Sequence, residues 1–294
     1  MKGHEDIRIG TMVPGGKPEY LAQVVKRGFE SFEFNWWQHV GDVNLKKLAE
    51  DTRKVLGESG TGAVVSCLGV YGNPLVDKQN AKDWARLIDA CKFFGCNLVV
   101  GFAGRIVNKP VPESMKTYAK VFGPLARRAA DQGVRLAFEN CDMGGTWQTG
   151  DWNIAHAPSA WEMMFDAIPG DNVGLEWEPC HQMGSLVDPL PQLRKYVHKV
   201  FHLHGKDATI LWDVVREYGI RSGKQYCYHR TPGFGDTNWT DILSILRMGK
   251  FKGAIDIEGW HDPVYRAELE MTGQVHALQY LQNCRGGSYV ENPK

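Results

Sequence analysis

Val200-Phe-His-Leu-His204 is a short apolar run closed by an imidazole, and three runs of the same build lie between residues 135 and 258. They are Arg135-Leu-Ala-Phe-Glu139, Val173-Gly-Leu-Glu-Trp-Glu178 and Ala254-Ile-Asp-Ile-Glu258. Runs this short, rich in β-branched and aromatic residues and bounded by Gly or polar residues, predict buried strands rather than helices. A carboxylate or imidazole at the carboxyl end of successive strands is where a (β/α)8 barrel puts its active site.

Working outward, the first half of the chain supplies four more strands. They are expected at Ile7-Arg-Ile-Gly10, at Gly28 to Phe34, at Gly62 to Leu68 and at Asn97 to Phe102. Between them Pro18 to Arg27, Asn44 to Leu56, Ala81 to Phe94 and Glu113 to Gln132 carry apolar residues at helical spacing. Strands alternating with helices call for a parallel sheet, and eight repeats suit a closed α/β barrel, a TIM barrel. No Gly-x-Gly-x-x-Gly follows a strand, which weakens a dinucleotide-binding alternative. A single domain spanning 1–294 is expected, with extended loops at about 141–160 and 206–239 on the catalytic face.

Thirty-four basic residues balance thirty-four acidic ones, so no net field draws the chain onto nucleic acid or an anionic membrane. No apolar run approaches membrane-spanning length. The opening Met-Lys-Gly-His-Glu-Asp lacks the apolar stretch of a leader, and a cytoplasmic location is expected. Seven scattered cysteines without a Cys-x-x-Cys pair fit reduced, buried thiols.

A carboxylate at the sealed end of a strand is poorly solvated and needs a partner charge. Any one of Glu139, Glu178, His204 and Glu258 alone is read more simply as a solvated loop residue or half of a salt bridge. Four at successive strand ends favour one shared divalent cation. Mixed carboxylate and imidazole ligation suits Mn2+, Mg2+, Co2+ or Fe2+ better than a thiolate-rich zinc site does, with Mn2+ the first expectation and Mg2+, Co2+, Fe2+ or Zn2+ the alternatives.

Around this set, His181 lies three residues after Glu178, which favours substrate contact or proton transfer. Glu176 and His202 each stand two residues before a candidate ligand and so point the same way one layer deeper. Glu176 fits a supporting partner or a barrel-filling acid equally well. Lys206 and Asp207 order the site, hold a substrate oxygen, the role expected of Lys206, or form a charged loop pair. Arg230 either clamps a substrate oxygen or sits on the surface before the Pro232-Gly-Phe-Gly235 turn. Trp147 and Trp152, in a loop, favour contact with a sugar ring or an aromatic aglycone over packing.

These residues resemble the xylose isomerase-like superfamily of TIM barrels, which includes sugar isomerases, ketose 3-epimerases, inosose dehydratases and endonuclease IV. The motifs are Phe138-Glu-Asn140, Trp177-Glu-Pro-Cys-His181, Phe201-His-Leu-His-Gly-Lys-Asp207, Pro232-Gly-Phe-Gly-Asp236 with Trp239, and Ile257-Glu258. The resemblance implies a metal held by Glu139, Glu178, His204 and Glu258, with Glu139 and Glu258 also the proton-transfer pair. It implies substrate contacts from His181 and an Arg near Arg230, and a homo-oligomer. The family generally has Asp where this chain has Glu178. His-Gly-Lys-Asp is similar to the His-x-Lys-Asp of inosose dehydratases and of lyases acting on keto-glycosides and C-glycosides. The endonuclease branch needs histidines on strands three and four, and none lies between His39 and His156. The expected activity is a divalent-metal-dependent isomerase or epimerase acting on a ketose or keto-sugar. A dehydratase or keto-glycoside lyase using the same enolisation is the alternative, and a non-catalytic sugar-binding barrel the rival of a different class.

Overall fold

The computed structural model describes residues 4 and 6–293; residues 1–3, 5 and 294, which include most of the opening stretch where no leader is expected, lie outside it. Among the described residues ten strands are formed: β1 (Ile7–Pro14), β2 (Ser31–Trp37), β3 (Val64–Tyr71), β4 (Leu98–Gly101), β5 (Arg135–Glu139), β6 (Val173–Trp177), β7 (Val200–Gly205), β8 (Asp207–Ile210), β9 (Cys227–Arg230) and β10 (Gly253–Ile257). Eight of them close a barrel in the order β1-β10-β7-β6-β5-β4-β3-β2, and β8 with β9 makes a separate two-stranded sheet. All eight expected strands are present, each within a few residues of its sequence-derived bounds.

The described residues pack as two compact units, one of Met12–Trp177 with Lys199–Leu203 and one of the rest. The first contains parallel ladders from β2 through β7, with Glu139 the register partner of Glu176 and Glu176 of His202. Its helices start where side chains can accept the free amide protons. Asn44 accepts from Lys47 N, and Asp77 from Gln79 N and Asn80 N. The segment before β2 ends at Gly28 with φ +98°, a left-handed conformation that favours glycine. Trp84, Tyr118, Phe122 and Phe138 pack edge-on and tilted at centroid separations of 4.8–5.8 Å and seal the helices onto β5. A second apolar cluster joins Met12, Cys67, Tyr71, Val100, Phe102 and Ala137.

The second unit pairs β1 with β10 in parallel and holds the hairpin. The sequence reads 206–230 as loop, yet it folds into β8, a helix over Trp212–Tyr218, and β9, with Asp207 opposite Arg230 and Ile210 opposite Cys227. Cys180, Ala208 and Ile210, with Met183, Val215 and Cys227 against them, anchor it. All seven cysteines are free, and Cys96, Cys227 and Cys284 are only partly buried. No helix among the described residues is long and apolar enough to cross a membrane.

Candidate active site

β10 delivers Glu258 one residue past its end, where the Glu258 amide donates to Gly205 O, so the residue stays in line with the ladder. Its carboxylate is buried, and burial alone disfavours the charged form. Three neighbours reverse that. Lys206 Nζ donates to Glu258 Oε1 at 2.9 Å, His261 Nε2 lies 2.9 Å from the same oxygen, and His204 Nδ1 lies 3.6 Å from Oε2. Burial raises the Glu258 pKa, but the Lys206 ammonium and the two histidines outweigh it and hold the carboxyl well below the usual range. Glu258 is therefore an anion at neutral pH.

Lys206 is 3% exposed. Its ammonium reaches His181 Nε2 at 3.5 Å as well as Glu258. His181 sits on a short helical turn, Cys180–Gly184, and its amide faces both carboxylate oxygens of Glu178 at 3.1 and 3.2 Å. The Glu178 side chain thus fixes the turn that carries the imidazole. His229 of β9 packs edge-on to His181 at 4.8 Å and lies 6.0 Å from His261. Burial, then the neighbouring Lys206 and histidines, push the His229 pKa down to about 3, so it is a neutral imidazole.

Asp207 faces the other way. It accepts from Ala208 N, Thr237 N, Thr237 Oγ1 and Trp239 Nε1, and so fastens the Gly235–Trp239 segment against β8. A Cβ at Gly235 would run into the Asp207 carboxylate and Ala208 O, which is why glycine stands there. Arg230 gives Nε to Asp262 Oδ2 at 2.9 Å. Asp262, fully buried, also accepts from the amides of Thr231, Val264 and Tyr265 and orients the Arg230 guanidinium.

In the first unit the strand interiors carry a second acidic layer. Tyr71 OH lies 2.6 Å from Glu33 Oε1 and 2.9 Å from Glu176 Oε2, while His202 Nδ1 stands 2.9 Å from Glu176 and 3.8 Å from Glu33. Two carboxylates converging on one phenol repel each other, and the His202 imidazole stands against both. Burial, then the charges of Glu176 and Glu33, push the Tyr71 pKa well up, so the phenol keeps its proton. Glu176 is thus an inward-facing acid, as strand alternation predicts, and it meets His202 Nδ1. Glu139, also buried, ends β5 beside it in register. Trp147 contributes its carbonyl to the Arg105 guanidinium and to Val111 N.

Among these groups one atom is left over. Glu258 Oε2 is buried with no hydrogen-bond partner, and an imidazole nitrogen faces it at 3.6 Å. A buried carboxylate oxygen without a donor is costly unless a cation takes it. Hard oxygen and imidazole donors are what Mg2+, Mn2+ and their relatives accept, so the donor set fits a divalent cation.

Residues 21–284 match the family model described as "Xylose isomerase-like TIM barrel". The chain belongs to that family. Among curated relatives, an inosose dehydratase of Clostridium perfringens is 27% identical over 177 residues, covering 58% of this chain and 54% of the relative. The chain thus spans about half the length of the curated relatives it matches. Among solved structures, the family fold is seen in a 3-keto-D-glucoside 4-epimerase from E. coli, with TM-score 0.70 at 17% identity, covering 95% of this chain and all of that one. A xylose isomerase-like TIM barrel protein from Mycobacterium smegmatis in complex with magnesium gives TM-score 0.69 at 17% identity, covering 97% and 100%. At such identity these two likenesses concern the fold alone.

Sequence reasoning missed several members of this polar interior. Glu33 was legible in Phe32-Glu-Phe34, an acid inside an apolar strand run, and Tyr71 ends the next strand. His229, His261 and Asp262 carried no local signal, because their significance comes from a hairpin and a turn that only the fold brings to Glu258.

Proposed function

We propose that this chain is a divalent-metal-dependent enzyme that enolises a ketose or keto-sugar, removing the proton on the carbon beside the carbonyl. The observation that carries the reading is Glu258: a buried, ionised carboxylate with one oxygen on Lys206 and the other without a hydrogen-bond partner, faced by His204. A base needs a free lone pair aimed into a dry site, and positioned acid–base groups of this kind accelerate proton transfer about 100- to 10,000-fold.

Glu139, Glu178, His204 and Glu258 are the residues that would hold the cation, Glu139 being included for its place at the end of β5. When bound, the cation supplies Lewis acidity to a carbonyl and an adjacent hydroxyl. The chain's own groups do the rest. Glu258 takes the α-proton. Lys206 and His181, side by side, donate to substrate oxygens on which negative charge develops. Arg230, oriented by Asp262, contacts a further hydroxyl, and Trp147 offers its ring to the substrate. Glu139 is the second proton-transfer group, so the product is an epimer, or an isomer where the proton goes to the neighbouring carbon.

Elimination of water is a second reading, and a specific observation favours it. Lys206, His181, His229 and His261 gather proton carriers and donors around a single base, the arrangement needed to protonate a departing hydroxyl, and the curated relatives include inosose dehydratases. Incubating the metal-loaded protein in deuterated water with ketoses and with inososes decides between them. Deuterium in a sugar of unchanged mass formula is epimerisation or isomerisation. Loss of water is dehydration. Absence of exchange and of product from all of them overturns the enolisation itself.

A further inference from the structure

At the amino end of β3, the opposite end of that strand from Tyr71, lies a cleft of about 600 Å³. The helices Leu45–Ser59 and Lys78–Phe94 supply most of the rest of its lining, and all of it belongs to the first compact unit. Small-molecule sites ordinarily have volumes of about 300 to 1,000 Å³, so the cleft is large enough for one. Apolar side chains line it, among them the half-buried Phe93 and Phe94. Arg53 and Lys92 stand beside them, and among the described residues no Asp or Glu lines the cleft.

Three features of the lining have no explanation in the packing of the chain. Thr52 is 2% exposed, and its hydroxyl is buried with no hydrogen-bond partner, although a helical threonine can bond back to the carbonyl one turn earlier. Gly57 stands in the last turn of its helix, where glycine is a poor helix former. Its φ is not left-handed, and a Cβ there would meet nothing within 4 Å. Neither backbone geometry nor close packing calls for glycine, whose effect is to keep the cleft open. The third feature is the unbalanced charge. Asp51 pairs with Lys47, Glu58 with Lys54 and Asp89 with Arg128, which leaves Arg53 and Lys92 without a carboxylate. Basic residues near a helix end also suit its carbonyls, but here those carbonyls have other donors. Leu56 O accepts from Ser59 Oγ, Gly57 O from Gly60 N and Cys91 O from Gly95 N. Arg53 gives Nη2 to Phe93 O at 2.9 Å, and the Lys92 ammonium lies over the Phe93 ring at 5.3 Å.

We infer that this cleft is a binding site for a small organic anion, a flat apolar body that carries a phosphate or carboxylate group. The anionic group meets Arg53 and Lys92. The flat body lies against Phe93 and Phe94 in the space that Gly57 leaves, and the Thr52 hydroxyl bonds to a polar atom of the ligand. Bare phosphate would leave the apolar walls uncovered, and a neutral ring would leave the two cations without a counter-charge. The site does not depend on the enolising chemistry, since it lies at the other end of β3 from the phenol that meets Glu33 and Glu176.

The full chain is titrated by calorimetry with phenyl phosphate, benzoate, inorganic phosphate and phenol. Phenyl phosphate or benzoate binds about tenfold more tightly than both inorganic phosphate and phenol. Preference for phenyl phosphate marks a phosphate ligand, and preference for benzoate a carboxylate ligand. Arg53→Gln and Lys92→Gln, at exposed positions, each weaken the favoured ligand about fivefold, as loss of an exposed charge partner does. Gly57→Phe fills the cleft and abolishes the preference, whereas Gly57→Ala keeps it, and the thermal midpoints show that both variants fold. Equal binding of all four probes by the wild type overturns the site. So does a preference that survives in folded Gly57→Phe or in the double variant Arg53→Gln with Lys92→Gln. Binding that is lost in Glu258→Gln but kept in Gly57→Phe places the anion with that carboxylate and overturns the site as well.

Discussion

Lys206 Nζ lies 2.9 Å from Glu258 Oε1, and both side chains are more than 90% buried, while Oε2 of the same carboxylate has no hydrogen-bond partner. One oxygen is neutralised and the other is left available. The ion pair keeps the carboxylate charged in a place where burial would otherwise protonate it, and the free oxygen is the atom on which both the cation and the base reading depend.

Glu258→Gln keeps the size of the side chain and still offers Lys206 an oxygen, but it cannot take a proton. Exchange of the substrate α-hydrogen with solvent deuterium is expected to fall about 100- to 10,000-fold, with the far-ultraviolet circular dichroism unchanged. Retained exchange would assign the base to another residue.

Lys206→Met removes the charge that compensates Glu258. Breaking a buried pair from one side costs about 3–5 kcal/mol, because the remaining ion is left uncompensated. Denaturant unfolding in the presence of chelator should show that loss. The double variant Lys206→Met with Glu258→Gln should recover most of it, because no buried charge then lacks a partner. Equal instability of single and double variants would show that Lys206 acts through packing alone.

Metal loading should raise the thermal midpoint, since a ligand that binds only the folded chain stabilises it by about 4 kcal/mol at a thousandfold excess over Kd. Glu258→Gln and His204→Ala should each weaken that shift. A midpoint indifferent to Mn2+ and Mg2+ in the wild-type chain would remove the cation from the proposed chemistry.

The strand ends that carry these predictions were legible because a buried parallel strand is a near-continuous apolar run, and an acid or imidazole closing it stands out. Glu139, Glu178, His204 and Glu258 were found that way, and so was the inward-facing Glu176. The β8–β9 hairpin was not legible. Its second strand, Cys227–Arg230, is half-buried throughout and carries no alternation of apolar and polar residues. Adjacent Lys206 and Asp207 read as site-ordering groups, holders of a substrate oxygen or a charged pair, and the two diverge, Lys206 to Glu258 and Asp207 to Thr237 and Trp239. Such divergence is a matter of strand alternation at a chain reversal, which sequence spacing does not record. Arg105 was silent for a different reason: its partners are main-chain carbonyls, and those have no sequence signature.

Asp262 offers the clearest test of how the hairpin is tied to the site. Its carboxylate accepts from three backbone amides and from Arg230, and although burial raises its pKa, those donors outweigh it and hold the carboxyl below the usual range. A carboxyl depressed in the folded state contributes stability that is present above its unfolded pKa and disappears as pH falls through the folded one. The contribution of Asp262 is therefore complete at neutral pH and lost below about pH 4, the ordinary value for an aspartate. Asp262→Ala should cost about 3 kcal/mol at pH 7, as expected for a buried acceptor of several charge-assisted hydrogen bonds. The same substitution should cost little at the acid end. Because Arg230 then loses its orienting partner, the variant should also raise KM more than it lowers kcat. A stability loss independent of pH would mean that Asp262 serves the turn by its shape rather than by its charge.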